Sequence, residues 1–167
     1  MENQDDLLKK IGSNDSELMA EAFREIKENG DDSILEPLLN LLETKPEVPV
    51  VSGIVNLLAD VRASGFRKIL TDRIRQTQDA QTKGDLLRIV WESSLDYSAD
   101  LDLFLDILQN GEFAAAFEAS TVIENLVHNL TEEQHNQLHE LFESSIIPED
   151  KRFLIENIIE EMECTED

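Results

Sequence analysis

The chain has 167 residues, of which 41% are hydrophobic and 5% aromatic, and its formal net charge is −23. A chain of this length can bury one continuous core and lies in the size range of a single domain. A strongly negative field repels nucleic-acid phosphates and anionic lipid headgroups, so we expect no nucleic-acid or membrane partner, and a protein partner with a basic surface.

The first 44 residues predict a short opening helix followed by one helical hairpin. Apolar residues recur at helical spacing in three windows, residues 7–11, 19–26 and 35–42. Asn14 and Ser33 are each followed three residues later by a glutamate, and this pattern is typical of the N-terminal cap of a helix. The first predicted hairpin therefore covers residues 14–44.

Helical spacing of apolar residues continues through the rest of the chain. It predicts three more hairpins, a terminal capping helix and an acidic tail, at residues 47–76, 80–110, 112–145, 148–162 and 163–167. In the fourth hairpin we expect Phe113 and Phe117 in the core, and a capping box formed by Thr131 and Gln134. Tyr97 is expected to fill or border the core. The chain is therefore predicted to be all-α, with about nine to ten helices.

A small residue recurs in the first helix of each predicted hairpin. Ala22, Gly53 and Gly84 are spaced 31 residues apart, and Ala119 lies 35 residues further on. A small side chain at this place allows the paired helix of the hairpin to approach closely. Repeats of this length are typical of stacked helical hairpins, each of which buries its apolar face only against its neighbours. We predict a short right-handed α-solenoid that forms one domain over residues 1–162.

Two segments carry a resemblance to a known family. Residues 22–26, AFREI, and residues 33–42, SILEPLLNLL, resemble the two-helix unit of the HEAT-repeat family, with its proline near the start of the second helix. The resemblance extends over about residues 5–162, and an armadillo-like or unclassified helical-hairpin array is the alternative. It implies an α-solenoid whose second helices line a concave surface that holds a partner protein or peptide.

The resemblance also implies which residues contact the partner, namely the polar positions of the second helices. In this sequence they are Glu36, Asn40 and Glu43; Arg67, Lys68, Thr71 and Arg75; Asp102, Asp106 and Gln109; and Gln137 and Glu140. These groups are acidic, basic, acidic and mixed in chain order, and complementary charge on a partner raises specificity and association rate. The alternative interpretation of each residue is a solvated helix face. We expect noncatalytic protein binding by a monomer, because the polar last helix closes the array.

The sequence contains no persuasive catalytic site. His135 and His139 lie one helical turn apart and are weak metal-ligand candidates, because the His-Glu-x-x-His order and a nearby cysteine are both missing. We therefore expect no cofactor. The resemblance leaves open an enzyme or enzyme accessory related to the HEAT-like bilin lyases, or a small-ligand-binding module, because that architecture also hosts chemistry.

The charge is unevenly distributed along the chain. Residues 1–59 carry a net charge of −8, residues 60–90 of +3 and residues 91–167 of −18. Five cations are concentrated in the middle segment: Arg62, Arg67, Lys68, Arg73 and Arg75. They would either bind an acidic groove of a partner or neutralise neighbouring acidic helices.

The sequence also bears on the cellular compartment. The single cysteine, Cys164, excludes an intramolecular disulfide and is compatible with a reducing environment. Residues 1–6 contain acids where a secretory signal has basic residues, and no apolar run approaches the roughly 18 residues of a membrane span. We therefore expect a cytoplasmic protein.

Overall fold

The structure is a computed structural model, and it describes residues 3–13, 15–144 and 146–164. Within these residues it is all-helical, with ten α-helices, four 3₁₀ turns and no β-strand. This result confirms the prediction of an all-α chain with about nine to ten helices. None of the described helices is both long and apolar enough to span a membrane.

The helices follow the predicted segments closely. They are α1 (Gln4–Ile11), α2 (Ser16–Asn29), α3 (Leu35–Glu43), α4 (Val48–Ala59), α5 (Phe66–Gln76), α6 (Ala80–Glu92), α7 (Leu101–Asn110), α8 (Phe113–Leu126), α9 (Glu132–Glu143) and α10 (Arg152–Cys164). The 3₁₀ turns are Asp32–Ile34, Ser98–Asp100, Val127–Asn129 and Glu149–Lys151. Each predicted hairpin range contains two α-helices. Residues 163 and 164 continue α10 instead of starting the predicted tail, and residues 165–167 lie outside the described part of the chain.

The chain divides into two compact units, Met1–Phe66 and Arg67–Asp167. In the first unit α1 packs against α2 and α3, and α4 packs against the same two helices. Its core consists mainly of leucine and isoleucine side chains, among them Leu7, Ile11, Ile26, Leu38, Leu39, Leu42, Ile54 and Leu58. The prediction of one domain over residues 1–162 stays a prediction.

Gly53 allows α4 to lie directly against α2. A Cβ atom at this position would overlap the ring of Phe23, so the ring occupies the space that a side chain would need. The small residue therefore has a packing role, but towards α2 of the preceding hairpin and not towards the paired helix α5. At Gly84 of α6 the requirement is weaker, because a Cβ atom would lie 3.7 Å from Cγ of Glu118 on α8, an ordinary contact distance.

Two predicted helix caps differ from those in the structure. Asp15 caps α2 by accepting hydrogen bonds from two backbone N–H groups of the first turn, while the predicted cap, Asn14, lies outside the described residues. Ahead of α3, Asp31 accepts from the backbone N–H of Ser33, so the predicted Ser33 cap is wrong. In both places an aspartate is the observed cap, and its negative charge interacts favourably with the positive end of a helix dipole.

In the second unit, α8 is the central helix. It packs against α6, α7 and α10, and its buried face contains the small residues Ala115, Ala116, Ala119 and Ser120. Small side chains allow this close approach. The capping box of Thr131 and Gln134 is present at the start of α9, which confirms that prediction.

Phe113 and Phe117 are not core residues of the second unit. They are 48% and 47% exposed, so the prediction that both pack inside the fourth hairpin is wrong. The two residues lie one turn apart on a single face of α8. The buried faces of this helix are instead occupied by its small residues and by Val122, Ile123 and Leu126.

Lys151 connects the start of α10 to the end of α7. The residue is only 5% exposed, and its Nζ donates hydrogen bonds to the backbone carbonyls of Gln109, at 3.1 Å, and Gly111. The last carbonyls of a helix lack intrahelical partners and form the negative end of its dipole. The buried ammonium is therefore satisfied by backbone carbonyl groups.

Candidate protein-binding site

A groove in the second unit lies between α7 and α9. Its polar lining consists of Asp102, Asp106 and Gln109 on α7, of Gln137 and Glu140 on α9, and of Ser144 directly after α9. The groove has a volume of about 400 Å³ and is open to solvent. All five residues predicted on these two helices meet here, and we call this surface the α7–α9 groove.

Two hydrogen bonds set the alignment of α7 and α9. Gln137 Nε2 donates to Oδ1 of Asp102 at 2.7 Å, and Gln134 Nε2 donates to the carbonyl oxygen of Ser98 at 2.8 Å. Gln134 precedes Gln137 in the chain, and its partner Ser98 precedes Asp102. The two helices therefore run in the same direction. Parallel alignment places their polar faces side by side.

The groove carries negative charge. Asp102, Asp106 and Glu140 are exposed on its walls, and Glu132 and Glu133 line an adjoining pocket at the start of α9. None of the described residues that line the two cavities is a lysine or an arginine. The surface of the groove would therefore complement a cationic group.

The rest of the groove is mainly apolar. Leu105 and Leu141 contribute to its lining, and Ile146 is 68% exposed beside them. Leu105 is already buried, so Ile146 offers most of the apolar surface, and its removal from water is worth about 25 cal/mol per Å². The groove therefore combines an acidic wall with a small exposed apolar area.

The predicted basic group on α5 is paired with carboxylates. Arg67 Nε and Arg75 Nη2 each lie 3.3 Å from an oxygen of Asp100. Lys68 forms an ion pair with Asp72, and its hydrogen bond lowers the pKa of that carboxyl. Of the two roles considered for these cations, the contacts favour neutralisation of neighbouring acids.

Thr71 does not belong to the surface. Its side chain is 2% exposed, and its hydroxyl donates to the carbonyl oxygen of Lys68 at 3.3 Å. Leu70 and Ile74 are also buried, so the apolar face of α5 is wide enough to include the threonine between them. A threonine tolerates this burial because its hydroxyl bonds to the helix backbone. The prediction that Thr71 contacts a partner is therefore wrong.

The predicted acidic group on α3 belongs to the first unit. Glu36, Asn40 and Glu43 are exposed, while the leucines of α3 are buried. The spacing of these three residues therefore identified a solvent-facing side of α3. The α7–α9 groove belongs to the second unit.

The histidine pair does not form a metal centre in the structure. Nε2 of His135 donates to the carbonyl oxygen of Val127 at 3.0 Å, and His139 is exposed. Over the described ranges, no group of three or more histidine, cysteine, aspartate or glutamate side chains is arranged to hold a metal ion. The observed contact gives His135 a structural role at the start of α9.

Sequence reasoning missed Ile146 and the inter-helix bond of Gln134. Ile146 and Ile147 are adjacent apolar residues in a connector, and only Ile147 is buried. The sequence does not distinguish the two isoleucines, so it carries no signal that Ile146 is the exposed one. Gln134 accepts the capping bond at Thr131 through Oε1 and donates through Nε2 to Ser98 in the turn before α7, so its second role depends on tertiary packing.

Tyr97 gives a direct test of packing beside the α5 cations. Burial, with a smaller contribution from the nearby charge of Asp100, raises the pKa of Tyr97 to about 12. Tyr97 is the only tyrosine in the chain, so the absorbance of tyrosinate reports on it alone. We expect titration near pH 12 in the folded protein and near pH 10 in denaturant.

The shift in the pKa of Tyr97 also predicts a loss of stability in alkali. The unfolded chain releases the tyrosine proton first, so the stabilisation present below about pH 10 is lost as the pH rises to about 12. Tyr97→Phe should remove this part of the pH dependence. Titration near pH 10 with intact helical circular dichroism would contradict the burial of this hydroxyl.

Comparison with known proteins does not assign a family to the chain. No protein-family model matches it, and neither a curated protein nor a solved structure shows significant similarity. The geometry and charge of the α7–α9 groove are therefore the basis for a functional assignment.

Proposed function

We propose that this protein is a noncatalytic scaffold whose α7–α9 groove holds a cationic segment of a partner protein. The observation that supports this most strongly is that the five predicted residues of α7 and α9 meet in one acidic groove. Opposite charge on the partner would speed association and select among partners. The apolar side chains of the groove would supply affinity beyond that of exposed ion pairs, which contribute little individually.

We also propose a HEAT-like solenoid, and parallel packing of alternate helices in the first unit supports it. Phe23 of α2 lies against Gly53 of α4, and further along, Lys27 Nζ bonds to Asp60 at 2.7 Å. In each pair the two residues lie about one predicted repeat apart in the sequence. Contacts one repeat apart in a constant direction are typical of stacked hairpins.

The second unit supports the solenoid in the same way. The ring of Phe113 on α8 lies 6.0 Å from that of Phe153 on α10, and His128 lies 3.9 Å from Glu161. Residues early in one helix therefore meet residues early in the other, as between α7 and α9. In a HEAT-like array α7 and α9 are second helices, which is where the family holds its partners.

Neutralisation of the groove tests the proposed binding site. The variant Asp102→Asn, Asp106→Asn, Glu140→Gln keeps side-chain size and removes three charges. As a matched control, Glu28→Gln, Glu36→Gln, Glu43→Gln removes three exposed charges from the first unit. Wild type and both variants are immobilised, and proteins retained from source-cell lysate are quantified by mass spectrometry across a salt gradient.

We expect a protein that binds wild type and the control equally and binds the groove variant about tenfold less, because several ion pairs are lost together. Salt should release it, since exposed charges are screened. Equal retention by all three proteins would contradict binding in the groove. Loss only from the control would instead place the partner on the first unit.

A monomeric, cytoplasmic protein is part of the same proposal. The net charge of −23 opposes association between copies of the chain. The single cysteine is compatible with a reducing compartment. Sedimentation of the purified protein tests the first expectation, and localisation of the tagged protein tests the second.

A further inference from the structure

Three half-exposed phenylalanines form an aromatic cluster on the second unit. Phe113 and Phe117 lie on α8 and Phe153 lies on α10, and their exposed fractions are 48%, 47% and 48%. The rings of Phe113 and Phe153 have centroids 6.0 Å apart and planes at 32°. Removal of large aromatic side chains from water is favourable. Their clustering on one exposed surface therefore indicates a contact site. We call this cluster the α8–α10 patch.

The face of α8 that carries the patch becomes acidic towards its C-terminal end. Helical spacing continues from Phe117 through Thr121 and Glu124 to His128. On α10, Glu161 reaches the same end, because its Oε2 lies 3.9 Å from Nε2 of His128. Burial and the nearby charge of Glu161 raise the pKa of Glu124. A cation placed beside these two carboxylates would relieve their mutual repulsion.

We propose that the α8–α10 patch and its acidic end bind an amphipathic, cationic helix of a partner protein. Aliphatic residues of that helix cover the three rings, and a lysine or arginine meets Glu124 and Glu161. Glu124 follows Phe117 by seven residues, which is about 10 Å along a helix. The partner therefore carries its apolar residues and its cation about two turns apart. This surface lies on α8 and α10 and is separate from the α7–α9 groove.

Charge decides between such a partner and a second copy of the chain. Residues 91–167 carry a net charge of −18, with 20 acidic and two basic residues. A symmetric contact through the patch would bring two surfaces of this sign together. A cationic helix gains from the same field, both in encounter rate and in the contact formed.

Amide chemical shifts of the ¹⁵N-labelled protein test the proposal with synthetic peptides. One helical peptide carries two leucines one turn apart and two lysines two turns further on, and a second has the reverse order. A scrambled peptide has the same composition. We expect one of the ordered peptides to shift signals on α8 and α10 and to bind about tenfold more tightly than the scrambled peptide.

Two variants assign the contacts. Phe117→Ser, Phe153→Ser removes aromatic surface, and Glu124→Gln, Glu161→Gln removes both charges without changing side-chain size. Each should abolish the preference for the ordered peptide while the helical spectrum stays intact. If the phenylalanine variant unfolds, loss or retention of the peptide preference in the glutamate variant still tests the proposed site. The α7–α9 groove variant should keep the preference, so failure of one proposed site is distinguishable from failure of the other.

Three outcomes would overturn the proposal. The first is equal binding of ordered and scrambled peptides. The second is a set of shifted signals on α7 and α9 alone, which would assign peptide binding to the groove. The third is concentration-dependent dimerisation of wild type that the phenylalanine variant abolishes, because a second copy would then occupy the patch.

Discussion

Leu39→Asp is expected to destabilise the first unit strongly at neutral pH. Leu39 is fully buried on α3, in one stripe with Leu35, Leu38 and Leu42. The substitution removes a core side chain and leaves a carboxylate without a partner in its place. Cavity formation and burial of an unpaired charge together cost about 4 kcal/mol or more, which is much of the 5–15 kcal/mol that stabilises a typical domain.

Two control variants separate charge from position. Asn40→Asp places the same carboxylate at the next residue, which is exposed, and should leave stability almost unchanged. Leu39→Asn introduces a polar group without charge, so it should destabilise less than Leu39→Asp in denaturant unfolding followed by circular dichroism. Equal stability of wild type and Leu39→Asp would contradict the core assignment.

The pH dependence of these variants has a defined sign. Burial raises the pKa of an aspartate above its usual value of about 3.9. The folded chain then binds a proton more readily than the unfolded chain, so the deficit of Leu39→Asp should shrink as the pH falls. Comparison with Leu39→Asn at each pH removes the effect of the other acids. If the difference in unfolding free energy between Leu39→Asp and Leu39→Asn does not change with pH, the carboxylate is solvated.

The same variant tests the prediction of a single domain. Leu39 belongs to the first unit, whereas Trp91, the only tryptophan, belongs to the second. Circular dichroism reports on all helices, and tryptophan fluorescence reports on the second unit. One cooperative domain requires both transitions to shift together in Leu39→Asp. A shift of the circular-dichroism transition alone would contradict the prediction of a single domain. It would still agree with the assignment of Leu39 to the core of the first unit.

Local sequence patterns predicted the helices well because helix formation depends on residues three or four positions apart. The stripe on α3 shows this, since its four leucines identify both the helix and its buried face. The patterns failed where burial depends on a neighbouring helix. The helical spacing of Phe113 and Thr71 is the same whether each residue is buried or exposed. Only tertiary packing decides that Phe113 is exposed and Thr71 buried.

The candidate site was predictable to a similar extent. The resemblance implied which residues of α7 and α9 face a shared surface, but not which of them lie next to each other. Their meeting depends on the bond from Gln137 to Asp102 and on the parallel direction of the helices. Pairing of Arg67 and Arg75 with Asp100 was also unpredictable from local pattern, because it depends on the position of the turn before α7.

Lys151→Met is expected to destabilise the second unit by about 2–3 kcal/mol. Residues 91–167 contain two basic residues, Lys151 and Arg152, and the lysine is the buried one. Methionine has similar length and no donor, so the carbonyls of Gln109 and Gly111 would lose their bonds to Nζ. Loss of bonds to a charged donor and burial of unsatisfied acceptors account for the expected size of the effect.

Fluorescence of Trp91 measures this change in denaturant, because its Nε1 donates to Glu118 at 2.9 Å between α6 and α8. Lys68→Met is the matched control, since it removes the same charge from the same unit at a side chain that is 80% exposed. The control should unfold almost like wild type. Equal stability of all three proteins would contradict the carbonyl contacts. A loss confined to Lys151→Met would instead show that a cation in this acidic segment stabilises the fold at the end of α7, beside the α7–α9 groove.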